Sequence, residues 1–374
     1  MTNTEFLIIG QGISGTFLSW YLHKNKRSFI VIDNNDPIVA SRVAAGIINP
    51  VTGRRIVQTW MIDTLLPYAL DAYNRLGIDL NIEAIAQKNI IDFFPSPQML
   101  LAFTEKFKED PKYLSMPANP LHGRGGRADW DLDHHSSTAR PGWVFEQHFN
   151  YDFGYGEINP SYAVNLAAIL PTWRSQLKSS NQLLEEEFNI NHLTINENNI
   201  NYNDITADKI IFCDGAACAE NPYFKNLPFA ANKGQALIIR NTEIPKNNIF
   251  KKALTIVPLK DDFFWIGSSY EWNFTDTNPS PDFLDKTTAQ LKHWIKSPFT
   301  VEAHLATLRP ATLERRPFVG LHPVHPQIGI LNGMGTKGCS LAPYFANQFV
   351  NNLINNEPIL PEANVNRFKR ILSS

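Results

Sequence analysis

Hydrophobic and polar positions at the start of the chain alternate in the order expected of a strand–helix–strand unit. Residues 6–9 form a short apolar run that ends in glycine, which is typical of a parallel strand buried on both faces. Residues 14–24 place apolar side chains on one helical face, at Phe17, Leu18, Tyr21 and Leu22. A second apolar run at residues 28–32 ends at Asp33. The pattern therefore predicts a compact βαβ unit.

Later segments repeat both periodicities, so we expect two domains that are each discontinuous in sequence. The apolar spacing predicts helices at residues 59–76, 160–177, 281–295 and 338–354, and Pro160 suits the start of the second of these. Residues 81–153 mix aliphatic and aromatic segments with Pro and Gly, which favours antiparallel strands and long connections. A strand at residues 207–215 ends in glycine, and residues 233–274 indicate several strands with a period of two.

Composition narrows the classes of function. The chain has 374 residues, 43% hydrophobic and 19% charged, with a formal net charge of −2. These values suit a globular protein of two domains and give no strong field for nucleic acid or an acidic membrane surface. We expect the basic cluster at residues 122–127 to be a solvated loop. No apolar run approaches the roughly 20 residues of a membrane span, so we expect a cytoplasmic protein that does not bind membranes.

Cysteine and histidine give no metal signature. The three cysteines form no CxxC or zinc spacing. His134 and His135 are adjacent and cannot both face one site on a regular strand. We therefore expect no metal site.

A GxGxxG motif at Gly10, Gly12 and Gly15 follows the first strand and opens the first helix. In such a loop the first glycine permits a tight turn, the second lets the backbone approach a pyrophosphate, and the third lets helix and strand pack closely. The helix N-terminus adds unpaired N–H groups and a positive dipole end. Asp33 would accept hydrogen bonds from a ribose diol. The motif predicts dinucleotide binding and leaves NAD and FAD as alternatives.

Further motifs carry a resemblance to a known family: SRVAAGIINP at 41–50, FCDGA at 212–216, NKGQAL at 232–237, LRPATLERRPFVG at 308–320 and GMGTKGCSLAP at 333–343. Over most of its length the chain resembles the FAD-dependent amine and amino-acid oxidoreductases related to D-amino-acid oxidase, glycine oxidase and sarcosine oxidase. It also resembles the flavin domain of the bacterial enzyme that removes a carboxymethyl group from the wobble uridine of tRNA. Asp214 replaces the usual threonine of this family, and Met334 replaces a histidine that many relatives carry.

The resemblance implies an α/β fold with a Rossmann-like FAD-binding domain and a second α+β substrate domain built on a mainly antiparallel sheet. We expect the FAD-binding domain at residues 1–80, 154–231 and 300–374, and the substrate domain at residues 81–153 and 232–299. No cysteine closely follows Arg309, so we expect noncovalent FAD. The small residues at 44–46 would let the flavin ring approach the backbone, and the last glycine loop would stabilise negative charge on the reduced ring.

The residues expected to bind the cofactor are Gly10, Gly12, Ile13, Ser14, Gly15, Asp33, Asn34, Arg42, Ala44, Ala45, Gly46, Ile47, Phe188, Asp214, Gly215, Gly333, Met334, Gly335, Thr336, Lys337 and Gly338.

The resemblance also indicates the substrate site. Arg309 would bind a substrate carboxylate, because a guanidinium matches a carboxylate bidentately; the alternative is an internal salt bridge to Glu314 or Glu302. Lys337 is a second candidate cation, for flavin or for substrate. Tyr270 is a candidate phenol over the pocket, with an interfacial core aromatic as the alternative.

The function that these features imply is FAD-dependent oxidation of the C–N bond of a small amino acid or secondary amine. Hydride transfer to flavin N5 would give an imine that water hydrolyses, while the protein supplies positioning and charge stabilisation. The alternatives are a flavoenzyme that modifies the wobble uridine of tRNA, and a nucleotide-binding protein without turnover. The near-neutral charge argues against strong nonspecific RNA binding. The sequence does not identify the amine, its stereochemistry, the electron acceptor or the oligomeric state.

Overall fold

The computed structural model describes residues 2–53, 55–117 and 145–373. The α-helices of this part of the chain are α1 (Ile13–Lys24), α2 (Ala40–Val43), α3 (Ile62–Leu80), α4 (Pro97–Glu109), α5 (Leu166–Ser179), α6 (Pro281–Trp294), α7 (Gly338–Asn355) and α8 (Lys369–Leu372). The strands are β1 (Thr2–Ile9), β2 (Phe29–Ile32), β3 (Ile47–Ile48), β4 (Val51–Thr52), β5 (Val57–Gln58), β6 (Ile85–Gln87), β7 (Ile90–Phe93), β8 (Leu114–Ser115), β9 (Tyr155–Ile158), β10 (Tyr162–Val164), β11 (Leu183–Leu184), β12 (Leu193–Ile195), β13 (Ile200–Tyr202), β14 (Ile205–Phe212), β15 (Asn232–Arg240), β16 (Ile249–Lys251), β17 (Thr255–Pro258), β18 (Phe263–Gly267), β19 (Thr300–Arg309), β20 (Phe318–Leu321) and β21 (Ile328–Asn332).

The first sheet is built around parallel strands. Its order is β11-β2-β1-β14, with β21 parallel to the end of β14, and the antiparallel strands β12, β13 and β20 complete it. Side chains of β1 alternate between two cores, with Phe6 and Ile8 in one and Leu7 and Ile9 in the other. Burial on both faces explains why this strand reads as a continuous apolar run.

Helices α1, α3, α5 and α7 contribute to the larger of these cores. Phe17, Tyr73, Trp173 and Phe345, one from each helix, are buried together there with Ile8 of β1. The apolar stripe predicted for the first helix therefore packs against the parallel sheet, as the βαβ pattern requires.

The second sheet is mainly antiparallel and has the order β19-β15-β18-β17-β16-β7-β9-β8. Strands β16 and β7 run parallel, and the other neighbours run antiparallel. Trp265 of β18 donates from its indole N–H to the carbonyl oxygen of Val43 at 2.9 Å. One face of this sheet is thus turned towards the segment that follows α2. The two sheets confirm the predicted fold class.

Three predicted elements differ from the structure. Pro160 does not begin a helix: β10 comes first, and α5 begins only after Asn165, whose side chain accepts a hydrogen bond from the Ala168 N–H at 3.2 Å. The helix predicted at 59–76 runs instead over Ile62–Leu80. Helix α4 lies within residues 81–153, where strands were predicted, because Ser96 caps it and Pro97 occupies its first turn.

Two predictions, the basic cluster at 122–127 and the pair His134 and His135, lie outside the described residues. Within the described ranges, no helix combines the length and the apolar character that crossing a bilayer requires.

Candidate active site

The first glycine loop lies where β1, β2, β14 and β21 all end, at one edge of the first sheet. A Cβ on Gly10 would lie 2.7 Å from the carbonyl oxygen of Cys213, and a Cβ on Gly15 would lie 1.9 Å from the carbonyl oxygen of Gly10. Both neighbours are backbone atoms, so helix and strands come this close only with glycine at these positions. Ligands of open α/β sheets bind outside the carboxyl ends of the strands, where this loop lies.

Gly12 has different surroundings. It is the N-cap of α1 with φ −75°, a value that any residue adopts, and a Cβ there would meet only the Ser41 side chain, whose hydroxyl oxygen is 3.1 Å away. That hydroxyl oxygen accepts a hydrogen bond from the Ile13 N–H at 3.0 Å. Because the N-cap residue is glycine, it offers no side-chain acceptor to the first N–H groups of the helix. Residues 12–15, which include Ser14, therefore form a helix N-terminus with a positive dipole end next to the Ser41 side chain.

Asp33, at the end of β2, is held by several donors. Its Oδ1 accepts from Arg174 Nη1 at 2.6 Å and from the Asn35 N–H at 2.9 Å, and its Oδ2 accepts from the Gln11 N–H at 2.8 Å. Burial raises the pKa of Asp33, but the N–H groups of Gln11 and Asn35 and the charges of Arg42 and Arg174 outweigh it and hold the pKa below its usual value. The carboxylate is ionised and suited to accept the hydroxyl of a ribose.

Arg174 of α5 is a site residue that sequence reasoning missed. It is 6% exposed and also donates to the backbone carbonyl of Asp33 at 2.9 Å. An arginine in an amphipathic helix is expected on the solvent face, and only the packing of α5 beside β2 brings it here. Of the predicted residues nearby, Asn34 is exposed, and Arg42 donates to the Asp36 carbonyl oxygen and to Asp33 Oδ1, the latter at 3.4 Å.

The second glycine loop lies beside the first. A Cβ on Gly338 would lie 3.2 Å from Ile13 Cγ2, so α7 and α1 begin next to each other. Gly333 and Gly335 have positive φ values of 76° and 54°, which glycine tolerates best. Lys337, the N-cap of α7, does not cap the helix with its side chain. The N-termini of α1 and α7 therefore lie next to each other at the same edge of the sheet, and neither N-cap residue contributes a side-chain hydrogen bond.

The remaining predicted cofactor residues of the two loops and their surroundings differ in exposure. Met334 is buried and Thr336 is exposed.

Phe188 stacks on Tyr202 at a centroid distance of 4.9 Å and contacts Phe212, the last residue of β14, at 5.7 Å. Phe188 thus packs on the apolar cluster beside the end of this strand.

The small-residue segment after α2 runs close to the backbone of β10. Gly46 is buried with φ 76°, and a Cβ there would lie 2.1 Å from the carbonyl oxygen of Val164. Ile47 pairs with the same strand, whereas Ala45 is half-buried and Ala44 is exposed. The backbone of this segment is thus held close to β10 at Gly46.

Asp214 and Gly215 follow β14. Asn332 donates to Asp214 Oδ1 at 3.1 Å and to the Gly215 carbonyl oxygen at 2.9 Å, and its own Oδ1 accepts from the Gly333 N–H at 2.8 Å. Asn332 therefore ties the end of β14 to the second glycine loop. Burial raises the pKa of Asp214 to about 7, against hydrogen bonds from its own N–H, Cys218 and Asn332 that lower it.

The substitution Asp214→Asn is expected to stabilise the protein at neutral and alkaline pH. The folded-state pKa lies above the ordinary value of 3.8, so folding favours the protonated carboxyl and stability is lost as pH rises from about 4 through about 7. Asparagine cannot ionise and keeps the acceptor for Asn332. Thermal unfolding between pH 4 and pH 9 should show a gap in Tm that widens up to about pH 7 and then stays level. A gap that is independent of pH would contradict the buried carboxyl.

Arg309, the last residue of β19, lies on the second sheet with its guanidinium fixed. Nη1 donates to Asn232 Oδ1 at 2.7 Å and to the Ser269 carbonyl oxygen at 3.0 Å. The guanidinium carbon lies 4.5 Å from the ring centroid of Tyr270, which is 59% exposed. It also packs on Gly234, where a Cβ would lie 2.0 Å from Nη2. Within the described part of the chain, no group accepts a hydrogen bond from Nε or Nη2.

The internal salt bridge considered for Arg309 does not form. Glu314 pairs with Arg367 at 3.2 Å, and Glu302 accepts a hydrogen bond from Thr300 at 2.5 Å. Among the described residues, no carboxylate forms an ion pair with Arg309; burial lowers the pKa of Arg309, and the nearby Tyr270 and Glu271 act in the opposite direction. The donors Nε and Nη2 are available to an anionic ligand.

Lys337 is a second cation without a carboxylate partner in the described ranges. Its Nζ donates to Thr59 Oγ1 at 3.4 Å. Burial, and then the charge of Lys251, lower the pKa of Lys337 to about 8. Lys251 itself pairs with Asp92 at 2.6 Å.

These features fit an extended dinucleotide better than a small anion. The N-terminus of α1 suits a diphosphate, Asp33 suits a ribose, and the segment from Ala44 to Gly46 suits a flat ring. The second glycine loop adds a positive helix end beside the first. The two glycine loops and Asp33 lie at one edge of the first sheet, whereas Ala44 to Gly46 lie beside β10 and Arg309 lies on the second sheet.

The chain matches, over residues 5–351, the family model described as FAD dependent oxidoreductase, and it belongs to this family of FAD-dependent oxidoreductases. It is similar to the glycine oxidase of Pseudomonas putida, with 28% identity over 165 residues that cover 42% of this chain and 45% of that protein. The chain therefore spans about half the length of the curated relatives it matches.

Two solved structures are similar over nearly the whole chain. The glycine oxidase of Geobacillus kaustophilus aligns with a TM-score of 0.75 at 14% identity, and the alignment covers 96% of this chain and 96% of that chain. The iminodiacetate oxidase of Chelativorans sp. has a TM-score of 0.74 at 17% identity and covers 96% of this chain and 97% of that chain. These likenesses show the fold, and the family match confirms the predicted FAD dependence.

Proposed function

We propose that this protein uses FAD to oxidise the C–N bond of a small amine that carries a carboxylate. The observation that carries the proposal is Arg309, a fixed guanidinium that has free donors and no carboxylate partner among the described residues. By their names, two similar proteins act on glycine and on iminodiacetate, which are amines with carboxylates and support this substrate class.

The chain's own residues would divide the work between binding and orientation. The loop from Gly10 to Gly15 would hold the diphosphate of FAD, Asp33 a ribose, and the second glycine loop the flavin. Bound FAD would supply the two-electron acceptor. Arg309 would hold the substrate carboxylate by Nε and Nη2, which orients the carbon next to the amine. The C–H hydrogen would leave with its electron pair to that acceptor and the N–H proton would pass to solvent, which leaves a C=N bond; water would then hydrolyse it to a carbonyl compound and ammonia or an amine.

We also propose that the two sheets mark two discontinuous domains. The first sheet would bind FAD, because both glycine loops lie at its edge. The second would bind substrate, because its strands carry Arg309 and lead directly into Tyr270. Under this proposal β9 (Tyr155–Ile158) and β19 (Thr300–Arg309), expected from the sequence in the FAD-binding domain, would belong to the substrate domain.

Anaerobic flavin reduction tests the proposed activity. The holoprotein is mixed without oxygen with glycine, sarcosine, proline and D-amino acids, and the flavin absorbance band at roughly 450 nm is followed. At least one of these amines should bleach it, whereas methylamine and dimethylamine, which lack the carboxylate, should leave it unchanged. Flavin that no amine reduces, or that methylamine reduces as fast as glycine, would count against the proposal.

A further inference from the structure

The side-chain amide of Gln235 is completely hydrogen-bonded on one face of the second sheet. Gln235 of β15 is 1% exposed and points to the face opposite its neighbour Gly234. Its Nε2 donates to Glu271 Oε1 at 2.6 Å and to Ser280 Oγ at 2.9 Å. Its Oε1 accepts from the Ser280 N–H at 2.7 Å and from His304 Nε2 at 2.9 Å. Both donors and both acceptor positions of the amide are therefore used.

The orientation of this amide follows from its partners. A backbone N–H can only donate, so the atom that faces the Ser280 N–H is the amide oxygen. A carboxylate can only accept, so the atom that faces Glu271 is the amide nitrogen. His304 Nε2 must then carry a hydrogen. A flipped amide would place an N–H against the Ser280 N–H and an oxygen against Glu271, so the amide has one orientation.

The residues on either side of Tyr270 are held on β15 by Gln235 and its neighbours. The Ser269 N–H donates to the Gln235 carbonyl oxygen at 3.2 Å, and the Gln235 N–H donates to Ser269 Oγ at 2.9 Å. Ser269 Oγ donates to Glu271 Oε1 at 2.6 Å, the same oxygen that accepts from the Gln235 amide. The backbone of Glu271 also pairs with that of Lys233 at 2.9 and 3.0 Å. The backbone that carries Tyr270 is thus fixed from both sides.

Ser269 and Tyr270 both contact the guanidinium of Arg309. Nη1 of Arg309 donates to the Ser269 carbonyl oxygen at 3.0 Å, and the guanidinium carbon lies 4.5 Å from the centroid of the Tyr270 ring. Tyr270 is 59% exposed, so packing holds its ring only weakly and its place depends on the backbone around it. Arg309 packs on Gly234, which faces away from the Gln235 amide. The amide therefore acts on Arg309 from the opposite face of the sheet, without touching it.

The same amide fixes the start of α6. Ser280 is the N-cap residue of this helix, and its Oγ accepts from the Phe283 N–H at 3.4 Å. Phe283 stacks on His304 at a centroid distance of 5.5 Å. The connection formed by residues 272–279 is thus fixed at both of its ends by Gln235. Loss of the amide would release this connection together with the segment that carries Tyr270.

We propose that Gln235 is a positioning residue of the substrate site. Its amide fixes the segment that carries Tyr270, and this segment holds the guanidinium of Arg309 ready for a substrate carboxylate. A guanidinium that is held in advance loses less conformational freedom when the carboxylate binds, so the affinity for the carboxylate depends on the amide. This inference rests on the proposed role of Arg309 in binding substrate.

Binding of an unreactive carboxylate to the holoprotein tests the proposal. Methylthioacetate has the shape of sarcosine with sulfur in place of the amine nitrogen, and the shift of the flavin absorbance measures its dissociation constant. Gln235→Leu keeps the approximate size of the side chain and removes the amide. It should raise this dissociation constant, and KM for the best amine of the panel, by about tenfold. An unchanged dissociation constant would overturn the proposal.

Asn241→Leu is the matched control. Asn241 follows β15 directly and is 2% exposed. Its amide is also fully hydrogen-bonded, to Ser297 Oγ, the Pro298 carbonyl oxygen and the N–H groups of Glu243 and Ile244. It lies roughly 20 Å from Gln235 along the extended chain. Asn241→Leu should lower the unfolding temperature about as much as Gln235→Leu and leave the affinity for methylthioacetate unchanged. An equal loss of affinity in the two variants would mean that Gln235 serves only the fold, and would overturn the proposal.

Two substitutions of Glu271 test the network with the Gln235 amide in place. Glu271→Gln keeps an oxygen that can accept from Gln235 and Ser269, whereas Glu271→Leu removes it. Both variants lose the same negative charge, so their comparison isolates the hydrogen bonds. Glu271→Leu should bind methylthioacetate about tenfold more weakly than Glu271→Gln. Equal affinities would overturn the proposal, and this comparison also decides the matter if Gln235→Leu does not fold.

Arg309→Met separates failure of this inference from failure of the proposed function. If Arg309→Met weakens methylthioacetate binding and Gln235→Leu does not, Arg309 binds the carboxylate and Gln235 does not position it. If Arg309→Met leaves the dissociation constant unchanged, the proposed role of Arg309 and this inference are both overturned. If both substitutions weaken binding while no amine reduces the flavin, the positioning role of Gln235 holds and the proposed reaction does not.

Discussion

Protein with the substitution Gly15→Ala is expected to purify without flavin and to unfold at a lower temperature than the wild-type protein. The added Cβ would lie 1.9 Å from the carbonyl oxygen of Gly10, so helix α1 must move away from β1. Overpacking of this kind costs about 1–3 kcal/mol, and here it also distorts the loop that would hold the diphosphate. The ratio of flavin to protein absorbance and thermal unfolding with and without added FAD measure both effects. Wild-type flavin content in this variant would contradict the assignment of this loop to binding the diphosphate of FAD.

Gly12→Ala is the matched variant in the same loop. Its Cβ would meet only the flexible Ser41 side chain at 3.1 Å, and its φ of −75° suits alanine. We therefore expect the protein without FAD to unfold within about 1 kcal/mol of the wild type. FAD should nevertheless bind roughly 5- to 150-fold more weakly, because the added methyl group stands where the loop backbone would approach the diphosphate. If both variants lose stability equally and bind FAD equally, the loop is structural only.

The fold and the cofactor loops were predictable because their signals are local. A buried parallel strand must read as a continuous apolar run, and the tight turn and close packing at Gly10 and Gly15 admit no side chain. These constraints act over a few neighbouring residues. The resemblance of the later motifs then distinguished FAD from NAD, which the first loop alone left open.

The charge partners at the site were not predictable in the same way. Arg174 reaches Asp33 across 141 residues of sequence, and Lys251 pairs with Asp92 across 159 residues. Such pairs depend on strand register and on how a helix is rotated, which composition and periodicity do not fix. The free state of Lys337 likewise follows from tertiary packing.

Helix α4 is a different case. The local signal for a helix start was present in its sequence, but the segments around it were given more weight. Ser96 followed by Pro97 is a helix start, yet Phe103 is the only residue of α4 that the structure buries fully. Met99, Leu100 and Phe107 are nevertheless partly buried against the core beside Phe103, so the helix does carry an apolar stripe. The aliphatic and aromatic segments around it indicated strands, and their composition outweighed both the cap and the helical spacing.

Arg309→Met should lower kcat/KM for a carboxylate-bearing amine without removing FAD. The side chain keeps most of its length but loses the donors Nε and Nη2, which the described protein groups leave free. Loss of charged hydrogen bonds costs about 1.5–3 kcal/mol, or roughly 10- to 150-fold in kcat/KM. Steady-state kinetics with the best amine of the panel measure this, with flavin content as the control for folding.

Gly234→Ala provides a test in which the charge remains but its position changes. The Cβ would lie 2.0 Å from Nη2, so the guanidinium must leave its place between Asn232 and Tyr270. If Arg309 acts by positioning a carboxylate relative to the cofactor, the kcat/KM of this variant should fall almost as far as that of Arg309→Met, and its KM should rise. If Arg309 contributes only charge to the pocket, Gly234→Ala should stay near the wild-type value. An unchanged kcat/KM in Arg309→Met itself would show that Arg309 does not bind the substrate carboxylate.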